Sequence, residues 1–379
     1  MSKFRLSLIA LATLAMAACS DSDEPNLTPD EPATPAVPEL NRNGLISKTE
    51  ATKAAVEAVN KFFGMNLSAA DVKSIEMQGD KWNDYGIYVV TFDRGGYAVV
   101  DADSLAPNRV MGLSDTGSCP QTAVLYASDV KFSYSEETFD RIWSILPDCG
   151  TLLTEKSTSV SWPTAHWSEY APYNKYCPLL EDGKLPPSAG SMAVAMAEVM
   201  AYHRFPEKIG DFEINWKEMW PFPGPDATDE VAHLLAKIGE DAGFLYHNAI
   251  TYTECHDIPD MLKSFGYTYA NRTKNMSKVA KQTSPSIGCI KSKWGNYDCC
   301  VVTARKSVET NYESVRVAGA DKGQRLWVTR DYLKFEFTDG SNYGWFLAGN
   351  TWMLESDGHV NDMFGTVQDA FFVVDITRP

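Results

Sequence analysis

Histidine is scarce in this chain of 379 residues: there are six, and none lies between His256 and His359. Acid–base chemistry in that long stretch must therefore come from other side chains. Cations are also in the minority, with 34 Lys and Arg against 50 Asp and Glu and a net charge of −16. Such a surface repels phosphate backbones and anionic headgroups, which argues against nucleic acid as a partner. No apolar run of membrane-spanning length occurs, so no spanning helix is expected. The phosphate-loop pattern, the Gly-rich dinucleotide fingerprint and His-Glu-x-x-His are all missing, and the cysteines match no zinc spacing. No metal or organic cofactor is expected.

What is present suits an exported globular protein. Hydrophobic residues make up 44% of the chain and aromatics 12%, and the length allows two domains. Lys3 and Arg5 precede an apolar run, Leu6–Met16, too short to span a bilayer. The run leads through two small residues to Cys19, an arrangement that resembles the lipobox of bacterial lipoproteins. That resemblance implies a signal peptide over 1–18, a lipid on Cys19 and attachment to the outer membrane, possible display at the cell surface included. The lipid would be the sole membrane contact. An ordinary secretory signal is the alternative. Residues 19–40, acidic and rich in proline, predict an extended tether. Seven further cysteines follow, an odd number, so at least one is unpaired or pairs between chains.

The first globular part spans 41–135. Ser47 followed by Glu50 makes a capping box, and Ala51, Ala55, Val56, Val59, Phe62 and Phe63 recur at helical spacing up to Gly64. Ile87–Phe92 and Tyr97–Val100 flank Asp93-Arg94-Gly95-Gly96, a hairpin signal. These features predict a helix on an antiparallel sheet. The second part, 136–379, carries a helical text over Ser188–Arg204 that is apolar nearly all round, closed by Pro206, and a second helix over Thr228–Asp241. Strand-like runs follow at 300–302, 326–328, 333–337, 345–347 and 371–374. Helices first and strands afterwards predict an α+β domain.

Two stretches carry a specific resemblance. Trp167-Ser168-Glu169-Tyr170-Ala171-Pro172-Tyr173-Asn174 with Cys177-Pro178 is similar to the opening of the catalytic domain of streptopain-type cysteine peptidases. Ala189-Gly190-Ser191-Met192 through Arg204-Phe205-Pro206 resembles their nucleophile helix. Ile87–Phe92 with Gly95–Asp103 resembles the prodomain of that family and its free-standing inhibitor relatives. The resemblance implies a papain-like domain behind a small α+β prodomain with an antiparallel sheet.

At each position that should run the chemistry, the residue differs. The family has cysteine at the helix start, where the positive end of the helix dipole and a nearby imidazolium favour the thiolate. This chain has Ser191, whose hydroxyl needs a general base. The family's histidine opens a strand after a Gly-rich turn; the matching text, Gly295 to Val302, places Asp298 or Tyr297 there. An ordinary aspartate is too weak a base for serine and too weak an acid for an amine leaving group. Glu169 stands where the family has a glutamine that donates to the oxyanion. An ionised carboxyl has no such donor, and losing one costs on the order of 10²- to 10³-fold in rate. Asn350 with Trp352 resembles the family's closing Asn-Trp segment. An engineered Cys-to-Ser change would account for Ser191 but not for Glu169 or the missing histidine.

The expected function is therefore a catalytically inactive pseudopeptidase whose old cleft binds a peptide or protein. An active endopeptidase with rearranged residues, Cys177 conceivably among them, and a protease inhibitor acting through 41–135 are the alternatives. Oligomeric state is not legible.

Overall fold

Ser47 sets where the first helix begins. In the computed structural model, α1 runs over Lys48–Phe63. The Ser47 Oγ accepts from the Glu50 N–H at 3.2 Å while the Glu50 carboxylate accepts from the Ser47 N–H at 2.7 Å. Gly64 closes the helix at φ 68°, a left-handed conformation that glycine adopts without penalty. The structure describes residues 44–79, 86–104, 106, 109–130, 152–220, 225–247, 251–252, 258–291, 297–315, 324–340, 342–354, 360–364, 367 and 370–379. Cys19, the signal and tether, His256 and His359 lie outside them.

Twelve strands form one sheet. In chain order they are β1 (Val72–Gly79), β2 (Gly86–Phe92), β3 (Tyr97–Asp101), β4 (Val110–Ser114), β5 (Leu152–Ser161), β6 (Tyr269–Thr273), β7 (Ser286–Lys291), β8 (Tyr297–Val315), β9 (Gln324–Phe337), β10 (Tyr343–Leu354), β11 (Val360–Phe364) and β12 (Ala370–Thr377). The spatial order is β1-β2-β3-β4-β10-β9-β8-β7-β12-β6, with β5 pairing the far part of β8 and β11 pairing β10. The β2–β3 hairpin forms where Asp93–Gly96 predicts it. The N-terminal strands join the rest of the sheet through β4, whose Leu113 and Gly112 pair with Trp345 and Phe346 of β10.

Alternation along the strands divides the interior. Cys289, Cys299, Val301, Phe371 and Val373 face a core built around α3 (Ser191–His203). Their neighbours Ile290, Cys300, Val302, Phe372 and Val374 face a second core, where α2 (Gln121–Asp129) sends in Ala123, Val124, Tyr126 and Ala127. A third core lies under α1, with Ala51, Ala55 and Val59 against Val90, Ala98 and Val100. Every residue of α3 from Ser191 to Ala201 is buried, as its apolar text predicts. The next long helix, α4, covers Pro225–Asp241 and buries Val231, Leu234, Leu235 and Ile238. It starts before the expected Thr228 because Pro225 suits the first helical position, whose N–H has no helical partner anyway.

The expected strands are too short. β8 spans 19 residues rather than three. Beyond Ala304 it leaves the core and becomes half-exposed, so its apolar signal fades while its ladder with β5 and β9 continues. β5 is exposed from Thr154 to Ser161 and rich in serine and threonine, so it has no apolar alternation to announce it.

Candidate functional site

Gly190 makes the entry to α3 possible. Its φ of 97° is open to glycine and strained for other residues, and it delivers the chain into the helix with Ser191 as the first helical residue. No side chain caps this end. The N–H of Gly190 instead donates to Ser188 Oγ at 2.8 Å. The first-turn N–H groups of α3, that of Ser191 included, have no intrahelical acceptor.

The Ser191 hydroxyl points onto the start of β8. Its Oγ accepts from the Cys299 N–H at 3.0 Å, and the hydroxyl is hydrogen-bonded to the Asp298 carboxyl. Of the two residues expected near this position, Asp298 is thus the one whose side chain meets the Ser191 hydroxyl. Thr122, in the first turn of α2, also donates to Asp298 Oδ2. Burial raises the Asp298 pKa, the hydrogen bonds from Thr122, Ser191 and the Cys299 N–H pull it back, and the charge of Asp339 raises it again.

Glu169 lies in the loop ahead of α3. Its backbone N–H donates to Thr338 O at 2.8 Å, and its O accepts from the Ala189 N–H at 2.7 Å, tying the loop to the helix entry. Ser188 Oγ donates to Glu169 Oε2, and Thr338 Oγ1 donates to Oε1 at 3.2 Å. Burial pushes this carboxyl up to about 7, against the pull of Ser188 and Thr338, with Asp298 and Asp339 adding repulsion. Near neutral pH the group is therefore poised between acid and carboxylate. The charges that act on it, Asp298 and Asp339, are both negative.

A buried acid fixes the same loop from below. Glu198, one face of α3 inward, accepts from the Trp167 N–H at 2.8 Å, and burial pushes its pKa up to about 8. Thr122, Ser188, Glu198, Thr338 and Asp339 were not expected at the site. Hydroxyls and acids scattered over four elements leave no local pattern, and Glu198 alone, an acid inside an otherwise apolar helix text, carried a signal.

Three of the described imidazoles have their partners elsewhere. His166 Nδ1 lies 3.4 Å from Glu336 Oε2, and that hydrogen bond raises its pKa. His203 is driven down to about 4 by burial and packs beside Tyr267. His233 stacks on Tyr176 at 3.4 Å between centroids. Cys177 is buried, and its thiol is pushed up to about 11, which leaves too little thiolate for a nucleophile at neutral pH. Among the described residues no group of His, Cys, Asp or Glu is placed to hold a metal ion.

Asn350 and Trp352 do not belong to this site. Asn350 pairs with Arg330, and Arg330 with Val308 of β8, ten residues along the strand from Asp298. At ~3.3 Å per residue that separation is about 30 Å. The two residues resemble a closing segment in text only; the length of β8 and β9 carries them up the ribbon.

Comparison with known proteins agrees with this geometry. The Peptidase C10 family model matches residues 167–345, which include Glu169, Ser191, Asp298 and Thr338 and end before Asn350. Streptopain of Streptococcus pyogenes is 21% identical over 289 residues, 64% of this chain and 72% of its own length. Streptopain of Streptococcus pyogenes serotype M1 is 23% identical over the same shares. The helix start, the strand start and the acidic loop all lie inside the segment that matches the peptidase C10 family, residues 167–345.

Proposed function

We propose that this chain is an exported lipoprotein, anchored through Cys19, that uses a C10 peptidase fold to bind a peptide or protein without cleaving it. The observation that carries the reading is the partner of Ser191. Among the described residues its hydroxyl meets a carboxyl and a backbone N–H, and no imidazole. Deprotonating serine beside a carboxylate that is itself repelled by Asp339 and Glu169 is unfavourable at neutral pH. An ionised Glu169 would then oppose the oxyanion that a donor should stabilise. The first-turn N–H groups of α3 still offer hydrogen bonds to a bound carbonyl.

The N-terminal half takes part in this reading. Thr122 reaches Asp298, Lys61 pairs with Glu155 of β5, and Lys306 of β8 lies over the Phe62 ring at 3.9 Å. These contacts favour residues 44–130 staying on the sheet over release as a separate inhibitor.

The test uses the mature chain with casein and a mixed fluorogenic peptide library at pH 7.5. Saturable binding is expected without hydrolysis, equal in the wild type and in Ser191→Ala. Hydrolysis that Ser191→Ala abolishes would overturn the proposal.

A further inference from the structure

Two cysteines beneath the site face one another across adjacent strands. Cys289 of β7 and Cys299 of β8 are direct register partners in the antiparallel ladder. Both side chains point into the core around α3, and both are buried. Their sulfurs stand 2.7 Å apart, inside the van der Waals contact of two separate thiols. Cys300, next in sequence, points to the opposite core and is no rival for this pairing.

We propose that Cys289 and Cys299 are joined by a cross-strand disulfide in the exported protein. The bond forms by exchange with a disulfide oxidant, a protein or small-molecule disulfide of an oxidising compartment. One thiolate attacks the oxidant's disulfide and releases one of its thiols. The second thiolate then displaces the other, so the pair loses two protons and two electrons while the oxidant leaves as two thiols. Burial raises the pKa of both thiols in the folded state, so the exchange belongs to folding, before β7 and β8 close against α3. Once made, the bond is shielded from solvent thiols.

Its position gives it a consequence for the site. Cys299 gives its N–H to Ser191 Oγ, and Asp298 is the preceding residue. Tying Cys299 to β7 fixes both groups against the helix entry. Of the other described cysteines, Cys177 shares that core but lies beside Tyr246, and Cys119 packs against the second core.

The experiment is intact-mass and peptide analysis of the full mature chain exported to an oxidising compartment. Before any reduction the protein is unfolded in N-ethylmaleimide and digested with trypsin. Peptides 282–291 and 294–305 are expected as one linked species, retained in Cys300→Ala and absent from Cys299→Ala. Dithiothreitol should leave the link intact in the folded protein and break it in denaturant. As a second readout that does not need a variant to fold, wild-type chain refolded with and without oxidised glutathione should differ by two hydrogens in mass. Full alkylation of both Cys289 and Cys299 after oxidative refolding would overturn the proposal, as would a link that follows Cys300.

Discussion

The N-termini of α1 and α3 face the same physical problem and solve it differently. Both expose backbone N–H groups that the helix cannot satisfy. At α1, Ser47 and Glu50 satisfy them reciprocally, and the helix turns one apolar stripe to its core. At α3, glycine occupies the cap position, no side chain closes the end, and the helix is buried from Ser191 to Ala201. The first is a finished structural end. The second keeps its donors unspent, and around them stand Ser191, Asp298 and Glu169, a hydroxyl and two acids in the places where the family works with a thiol, an imidazole and an amide. On the proposed reading the donors persist while the groups that move protons have changed, which would separate holding a carbonyl from attacking it.

The largest expected effect is on pH dependence and belongs to α3. Glu169 and Glu198 have folded pKa values raised by burial to about 7 and about 8. A carboxyl raised in this way binds its proton more tightly folded than unfolded. Its stabilisation is complete below its unfolded pKa, near 4.3 to 4.5, and is lost as pH rises through 7 and 8. Melting should therefore occur at a lower temperature at pH 8.5 than at pH 5.5, by a free-energy difference of a few kcal/mol. Glu169→Gln should remove the part of that slope between about pH 4.5 and 7, and Glu198→Gln the part between about pH 4.5 and 8. A melting temperature that is flat or rises over this range would contradict the burial of both acids.

Next comes the entry glycine. Gly190→Ala places a Cβ at φ 97° and should destabilise the fold by ~1–3 kcal/mol in chemical denaturation. Gly64→Ala, at φ 68° with nothing near the new Cβ, should cost about 1 kcal/mol. Equal costs at the two glycines would remove the contrast between the ends. Ser47→Ala should lose about 1 kcal/mol, because the α1 cap depends on that hydroxyl. Ser191→Ala should cost about as much as the cap mutation or more, ~1–3 kcal/mol, since it leaves the buried Cys299 N–H without its acceptor, while Asp298 retains Thr122.

The sequence made some of this legible and hid the rest for physical reasons. Ser191 and Asp298 were legible as candidates because Ser191 opens a helix whose text is apolar all round and Asp298 stands just ahead of the apolar run that marks β8. Asn350 and Trp352 were misplaced because β8 and β9 continue past the core, where half-exposed residues give no periodic signal and the length of the ribbon goes unread. β5 was invisible for the same reason. Thr122 comes from an element that no motif marks, and only the folded sheet brings it to Asp298.

The sharpest test is acylation of Ser191 itself. The mature protein is incubated with a fluorophosphonate at pH 7.5, and the adduct is located by intact mass and peptide mapping. A hydroxyl that meets a carboxyl and a backbone N–H should stay unmodified over hours, while a serine peptidase run alongside labels fully. A stoichiometric adduct on Ser191 would contradict the proposed loss of proton transfer at this site.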